Sequence, residues 1–391
     1  MINREQIQYL LTSAKHFPVV AILGPRQSGK TTLARMTFAQ HTYVSLENPD
    51  IRELIKRDPK TFFISNKNEH GIILDEFQHI PELLSYIQVI SDEEKIPGYF
   101  ILTGSQNFLM NQHITQSLAG RVALHTLLPL SITELSNAFL LPAEIEEMLF
   151  RGCYPAIYSS QVSPTQLYGN YLQTYIERDV RLLSHVGDLS VFQTFITLCA
   201  SRIGQLVNFT ALGNECGISD NTVRRWLSIL EASYIIFFIQ PHHTNLGKRL
   251  VKSPKLYFYD SGLACYLLRI KQDELATHPM KGGLFESFII SDIFKHFYNS
   301  GKRPNIYFWQ DKLGHEVDCI IDEGLQVIPV EMKASRTLNT RFFEGLNYWY
   351  ELKNEKNRNG FVIYLGSKQE TKSSEYLISW QLIERLYKTI K

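Results

Sequence analysis

Val19-Val-Ala-Ile-Leu-Gly24-Pro-Arg-Gln-Ser-Gly29-Lys-Thr-Thr32 decides how this chain is read. The apolar run Val19–Leu23 predicts a buried strand, and the pattern over Thr32–Gln40 predicts a helix. Between them Gly24 to Thr31 match the spacing GxxxxGK[ST]. Gly24 and Gly29 let the backbone fold tightly, so that successive N–H groups point at phosphate oxygens. The helix that follows adds the positive end of its dipole. Lys30 reaches the β- and γ-phosphates and the Thr31 hydroxyl ligates Mg²⁺, while Pro25, Arg26, Gln27, Ser28 and Thr32 complete the cradle. The expected ligands are ATP and Mg²⁺.

Working outward, the first 130 residues alternate strand and helix patterns, which predicts a parallel α/β sheet. Expected strands are Val19–Leu23, Thr42–Leu46, Gly71–Asp75 and Tyr99–Leu102; expected helices include Ile51–Ile64 and Pro81–Ile90. Gly71-Ile-Ile-Leu-Asp75-Glu76 is an apolar strand ending in two acids, at the sheet edge where such folds hold ligands. Asp75 is the candidate for the Mg²⁺ shell, and Glu76 for orienting or deprotonating the attacking water. Ile101-Leu-Thr103-Gly-Ser105 brings hydroxyls to the same edge, so Thr103, Ser105 and Asn107 are candidate γ-phosphate sensors. Arg121, in Leu118-Ala-Gly-Arg, is a candidate transition-state cation, in cis or from a neighbouring subunit of an oligomer.

Composition removes several classes. The chain has 391 residues, 40 Lys+Arg against 39 Asp+Glu and a net charge of +1, so it is not a uniformly basic nucleic-acid coat. At about 150 residues per domain the length implies two to three domains. The longest clean apolar run, Tyr234–Ile239, falls far short of the roughly 20 residues a membrane span needs, and no membrane partner is expected. The stretch MINREQIQYLLTSAK has no signal-peptide pattern. Cys153, Cys199, Cys216, Cys265 and Cys319 are scattered and never spaced as CxxC, so neither a disulfide framework nor a zinc cluster is legible, and a reducing cytoplasm is the expected home.

GPRQSGKTT, LDEFQ, ILTGSQN, SLAGRV and LPLSITEL together resemble prokaryotic AAA-type P-loop ATPases that carry a C-terminal domain of unknown function, an archaeal ATPase-like group. GCYPAIY, YIERDVRLL and LYFYDSGLACYLL extend the resemblance over nearly the whole chain. It implies nucleotide hydrolysis and leaves the substrate open.

The character changes near residues 130 and 275, giving expected domains over 1–130, 131–275 and 276–391. In the middle one, helical periodicity covers Ile132–Phe150, Thr165–Leu183 and Leu189–Glu231. Phe209 to Leu230 has helix-turn-helix order, with a helix ending at Gly217, a cap at Ser219 or Asp220, and Val223, Leu227 and Leu230 on one face. Tyr234–Gln240 and Lys255–Asp260 are expected wing strands, so the region reads as a winged helix. In a DNA reader Asn221, Arg224 and Arg225 face the groove, and Lys248, Arg249, Lys252 and Lys255 lie in the wing region. The alternative is that the region packs against a partner protein.

After Lys281 come a long amphipathic helix (Leu284–Tyr298) and strands at Asn305–Trp309, Glu316–Ile321 and Gln326–Glu331. Glu286 on the helix, Asp318 in Glu-Val-Asp, and Glu331-Met-Lys333 resemble the PD-(D/E)xK restriction-endonuclease core. In that reading Asp318 and Glu331 share a Mg²⁺ with support from Glu286, and Lys333 activates water. Three functions are therefore open: an ATPase that rearranges DNA- or protein-binding domains, an ATP-regulated metal-dependent DNA nuclease, or a nucleotide-switch scaffold for a partner protein.

Overall fold

A computed structural model describes residues 2–105, 114, 117–160, 162–176, 189–242, 252–355, 358–367, 370–372 and 375–390. The chain forms two compact units. The first comprises Met1–Leu130, Ala232–Tyr234 and Phe297–Arg303; the second comprises Ser131–Glu231, Ile235–His296 and Pro304–Lys391.

In the first unit α1 (Ile7–Ala14), β1 (Val19–Gly24), α2 (Lys30–Thr37), β2 (Thr42–Ser45), α3 (Pro49–Arg57), α4 (Pro59–Ser65), β3 (Ile72–Asp75), α5 (Leu83–Glu94), β4 (Phe100–Ser105) and β5 (Val122–Thr126) follow in order. The strands form a parallel sheet in the order β2-β3-β4-β1-β5, the α/β core expected. Its central strands are buried on both faces, which is why they read as unbroken apolar runs. Val19, Ala21, Leu23, Leu74 and Leu102 pack into one core, and Val20, Ile22, Ile73 and Ile101 into a second on the opposite face with Leu33 of α2.

The single helix expected over Ile51–Ile64 is two, α3 and α4. Pro59 has no N–H to continue α3, and its ring clashes with the preceding turn. Asp58 then caps α4, accepting the Thr61 N–H at 3.0 Å.

The second unit begins with α6 (Ile132–Asn137), α7 (Ile145–Arg151), α8 (Pro155–Ser159), α9 (Pro164–Tyr171), α10 (Leu189–Ser201), α11 (Phe209–Cys216) and α12 (Asp220–Ala232). The helix expected over Ile132–Phe150 is thus interrupted between Asn137 and Ile145; α6 starts in a capping box of Ser131 and Glu134. Helix α9 runs into a π-turn at Leu172–Ile176, and the remainder of the helix expected to Leu183 lies outside the described residues.

β6 (Ile236–Pro241), β7 (Lys255–Phe258), α13 (Ser261–Leu267), α14 (Lys281–Asn299), β8 (Ile306–Gln310), β9 (Glu316–Asp322), β10 (Val327–Lys333), α15 (Glu344–Lys353), β11 (Phe361–Tyr364), β12 (Glu370–Lys372), β13 (Glu375–Ser379) and α16 (Glu384–Tyr387) complete the chain. A mixed sheet runs in the order β12-β13-β11-β10-β9-β8-β6-β7. The expected wing pair β6–β7 forms, antiparallel, but β6 also lies parallel to β8 through Gln240 and Pro241. The sheet therefore continues across residue 275. Helix α15 covers it, with Leu346, Trp349 and Tyr350 packed on Trp309, Val317 and Val362. Among the described residues no helix is long and apolar enough to cross a membrane.

Candidate functional site

The loop after β1 is built around two glycines that no other residue replaces cheaply. Gly24 has φ +153°, and a Cβ there would lie 2.2 Å from the Leu127 carbonyl oxygen. Gly29, at the start of α2, has φ +94°. The loop between them exposes Gln27 and half-buries Arg26. Lys30 is only 4% exposed, and its Nζ donates to the Pro25 carbonyl at 2.7 Å. Burial lowers its pKa to about 8, against the nearby Glu76 and Asp75, which raise it. The Ser28 hydroxyl is buried and has no hydrogen-bond partner among the described residues. A cradle that a Cβ would fill, a sequestered amine and an orphan hydroxyl suit a polyphosphate.

Asp75 and Glu76 stand at the carboxyl end of β3. The register sets Ser45, Asp75 and Thr103 side by side, and Gly24 beside Ser105, so loop and acids share one sheet edge. Asp75 is 4% exposed. Its Oδ1 accepts the Thr31 hydroxyl at 2.7 Å and also that of Thr103, while its Oδ2 accepts the Tyr43 hydroxyl at 2.9 Å. Thr103 is thereby a partner of Asp75. Glu76, with φ +55°, accepts the Gln78 amide, whose Nε2 also reaches Ser105 Oγ at 3.0 Å. Asn107 lies outside the described residues.

Several site residues escaped the sequence. Arg4 donates to the carbonyls of Ser28 (2.8 Å) and Leu128 (2.7 Å), bracing the loop from a segment with no motif. Tyr43 lies in an expected strand and Gln78 in LDEFQ, but neither is singled out there as a site residue. Arg52 lies 3.4 Å from His79 Nδ1, and burial together with Arg52 lowers the His79 pKa.

Of the two readings of Arg121, the one in cis is corrected. It precedes Val122, which pairs with Val19 at the opposite end of the sheet, about 17 Å from the acid edge at 3.3 Å per residue. Its guanidinium forks onto Asp92 at 2.6 and 2.8 Å. It cannot serve this chain's own site.

In the second unit, β7, α14, β9 and β10 bring a set of charges together. The Lys255 ammonium sits 3.2 Å from Glu316 and 3.8 Å from Glu286. Tyr257 donates to Glu286 at 2.5 Å, and Lys333 pairs with Glu331. Asp318 Oδ2 accepts the Met332 N–H at 2.8 Å. Burial and the neighbouring Asp318 raise Glu286 to about 8 and Glu331 well above the carboxylate range. Burial opposes the charge on Lys255, but Glu286, Glu316 and Asp318 outweigh it and raise its pKa.

The expected acids therefore converge. Among the described residues no group of three or more Asp, Glu, His or Cys side chains is arranged to hold a metal. Lys255 pairs with Glu286 and Glu316, and Lys333 with Glu331, so both ammonium groups lie within the acid set. Lys255, grouped in the sequence with the wing-region cations, is buried inside this cluster.

Helices α11 and α12 meet through Gly217, whose φ of +67° ends the first. Ser219 caps the second, accepting the Thr222 N–H at 3.2 Å, while Asp220 accepts the Thr210 hydroxyl at 2.8 Å. Val223, Trp226, Leu227 and Leu230 are buried. Asn221, Arg224 and Arg225 are exposed, Arg224 stacking 3.8 Å over Phe209. Lys252 is exposed, and Lys248 and Arg249 lie outside the described residues.

Comparison with known proteins divides the chain in three. Residues 16–136 match the AAA domain family, 142–274 a domain of unknown function (DUF8612), and 281–383 a second (DUF4143). Uncharacterized proteins of Mycobacterium tuberculosis and Mycobacterium bovis are each 29% identical over 347 residues, covering 86% of this chain and 75% of theirs. Among solved structures, a Walker-type ATPase of Pyrococcus abyssi is 17% identical with a TM-score of 0.45, covering 69% of this chain and 96% of that one. The RuvB Holliday junction branch migration motor of Thermotoga maritima is 18% identical with a TM-score of 0.32, covering 60% and 89%. The phosphate loop, the acid-ended strand beside it and the AAA match over the same residues agree: the chain carries an AAA-type P-loop ATPase domain and a C-terminal DUF4143 domain.

Proposed function

We propose that the chain hydrolyses Mg·ATP at the edge formed by Gly24–Thr32, Asp75, Glu76 and Ser105, and uses the cycle to reorient its downstream domains on DNA or a protein partner. The observation that carries this is the 2.7 Å hydrogen bond from Thr31 to Asp75, which joins the phosphate loop to the acid-ended strand. Thr31 and Asp75 would hold Mg²⁺, which when bound neutralises phosphate charge. The Lys30 amine, already drawn out of water, meets the phosphates. Glu76 orients the attacking water and takes its proton, and Gln78 holds the Glu76 carboxylate beside Ser105. Lys30→Ala should abolish ATP binding, and Glu76→Gln should bind ATP without turning it over; normal hydrolysis by Lys30→Ala would refute the assignment.

The exposed row Asn221, Arg224 and Arg225 on the second helix of a helix-turn-helix supports reading residues 131–275 as a winged-helix domain that contacts DNA. ATPase rates with and without DNA, and gel shifts across a salt series, test it. Loss of all retention at low salt favours the protein-docking scaffold. Within the second unit, the strands and helices after residue 276 are read as a PD-(D/E)xK-like core that shares its sheet with β6 and β7. Plasmid and single-stranded DNA incubated with Mg²⁺ or Mn²⁺, wild type beside Glu331→Ala, decides between cleavage and a binding role.

A further inference from the structure

Asp75 is held by three hydroxyls, and two of them are explained by the nucleotide site. Thr31 belongs to the phosphate loop and Thr103 to the adjacent strand, and both donate to Oδ1. The third comes from the edge strand β2, where no motif marks it. Tyr43 sits two residues before Ser45, which pairs with Asp75, so the two share one face and the phenol lies diagonally across the strand pair from Asp75. Its hydroxyl reaches Oδ2 at 2.9 Å.

The ring is fixed from its other side: the Arg35 guanidinium of α2 lies 4.7 Å from its centroid. Tyr43 is 36% exposed, so the ring does not earn its place as core packing.

We propose that Tyr43 is a positioning residue for the divalent cation of the ATPase site: its hydroxyl ties Oδ2 of Asp75 and leaves Oδ1 turned to Thr31 and the phosphate loop. The inference rests on Asp75 facing Mg²⁺. Outer hydrogen bonds of this kind orient the groups that hold a metal, and removing one typically weakens metal affinity by about tenfold or more. Tyr43→Phe keeps the ring and its stacking under Arg35 and removes only the oxygen.

The test is a Mg²⁺ titration of fluorescent ADP binding and of ATP hydrolysis by the full chain, for wild type, Tyr43→Phe and Asp75→Asn. Tyr43→Phe should need about tenfold more Mg²⁺ for half-maximal binding. Its nucleotide affinity in EDTA should match wild type, and the change should fall on the Mg²⁺ requirement rather than on kcat. A structural role alone would lower the melting temperature without moving the Mg²⁺ midpoint. If Asp75→Asn shifts that midpoint and Tyr43→Phe does not, the role of Tyr43 is overturned. If neither variant shifts it, the underlying reading of Asp75 fails instead.

Discussion

At the residue scale the sharpest consequence concerns Lys30. Its amine titrates near pH 8 because burial outweighs the two acids beside it. Between about 8 and the usual 10.5 the unfolded chain binds the proton and the folded apo site does not, so this group makes stability rise with pH across that window. Phosphates restore the charge. ATP binding at pH 8.5 should therefore take up a proton, and calorimetry in buffers of differing ionisation enthalpy should show it; the uptake should vanish at pH 6.5. Lys30, Asp75 and Glu76 were legible because their chemistry is tied to local spacing. Tyr43 and Arg4 were not, because hydrogen bonds spanning 32 residues (Tyr43 to Asp75) or 124 (Arg4 to Leu128) are made by sheet order and leave no trace in neighbouring residues.

At the scale of elements, the phosphate loop depends on its neighbours as much as on its own glycines. Arg4→Ala removes two charge-assisted bonds to the Ser28 and Leu128 carbonyls, each worth about 1.5–3 kcal/mol. Denaturant unfolding should show a loss of several kcal/mol, and the KM for ATP should rise. Gly24→Ala forces a Cβ onto Leu127 and a backbone angle costing about 1–3 kcal/mol before any clash. The variant should lose nucleotide binding in a fluorescence titration. Helix boundaries were less legible than strands. The apolar spacing of Ile51–Ile64 continues through Asp58-Pro59, and only the missing N–H of Pro59 and the Asp58 cap divide it.

Across the whole molecule, one charge cluster draws on segments 78 residues apart, from Lys255 to Lys333, which places β7 of the expected wing in the same sheet as the C-terminal strands. Glu286 there has its pKa raised from 4.5 to about 8, so the folded state holds the extra proton and stability falls as pH rises through that window. Glu286→Gln should flatten the fall: the urea midpoint should drop less between pH 5 and pH 8 than in wild type. Lys255→Met removes the cation that holds the Glu286 pKa down, so the urea midpoint should fall more steeply towards pH 8 and above than in wild type, and lowering the pH should recover the loss. The chain by itself determined the nucleotide-binding half of this protein, because a phosphate loop and an acid-ended strand are each short, contiguous and chemically obligatory. Only the tertiary structure decided what the remaining charges do. It removed Arg121 from the site by placing it at the far end of a parallel sheet, and it set Lys255 among the acids that the strand pattern offered to a metal. Sequence spacing specifies which residues share a strand, whereas pairing between strands specifies which charges must neutralise one another.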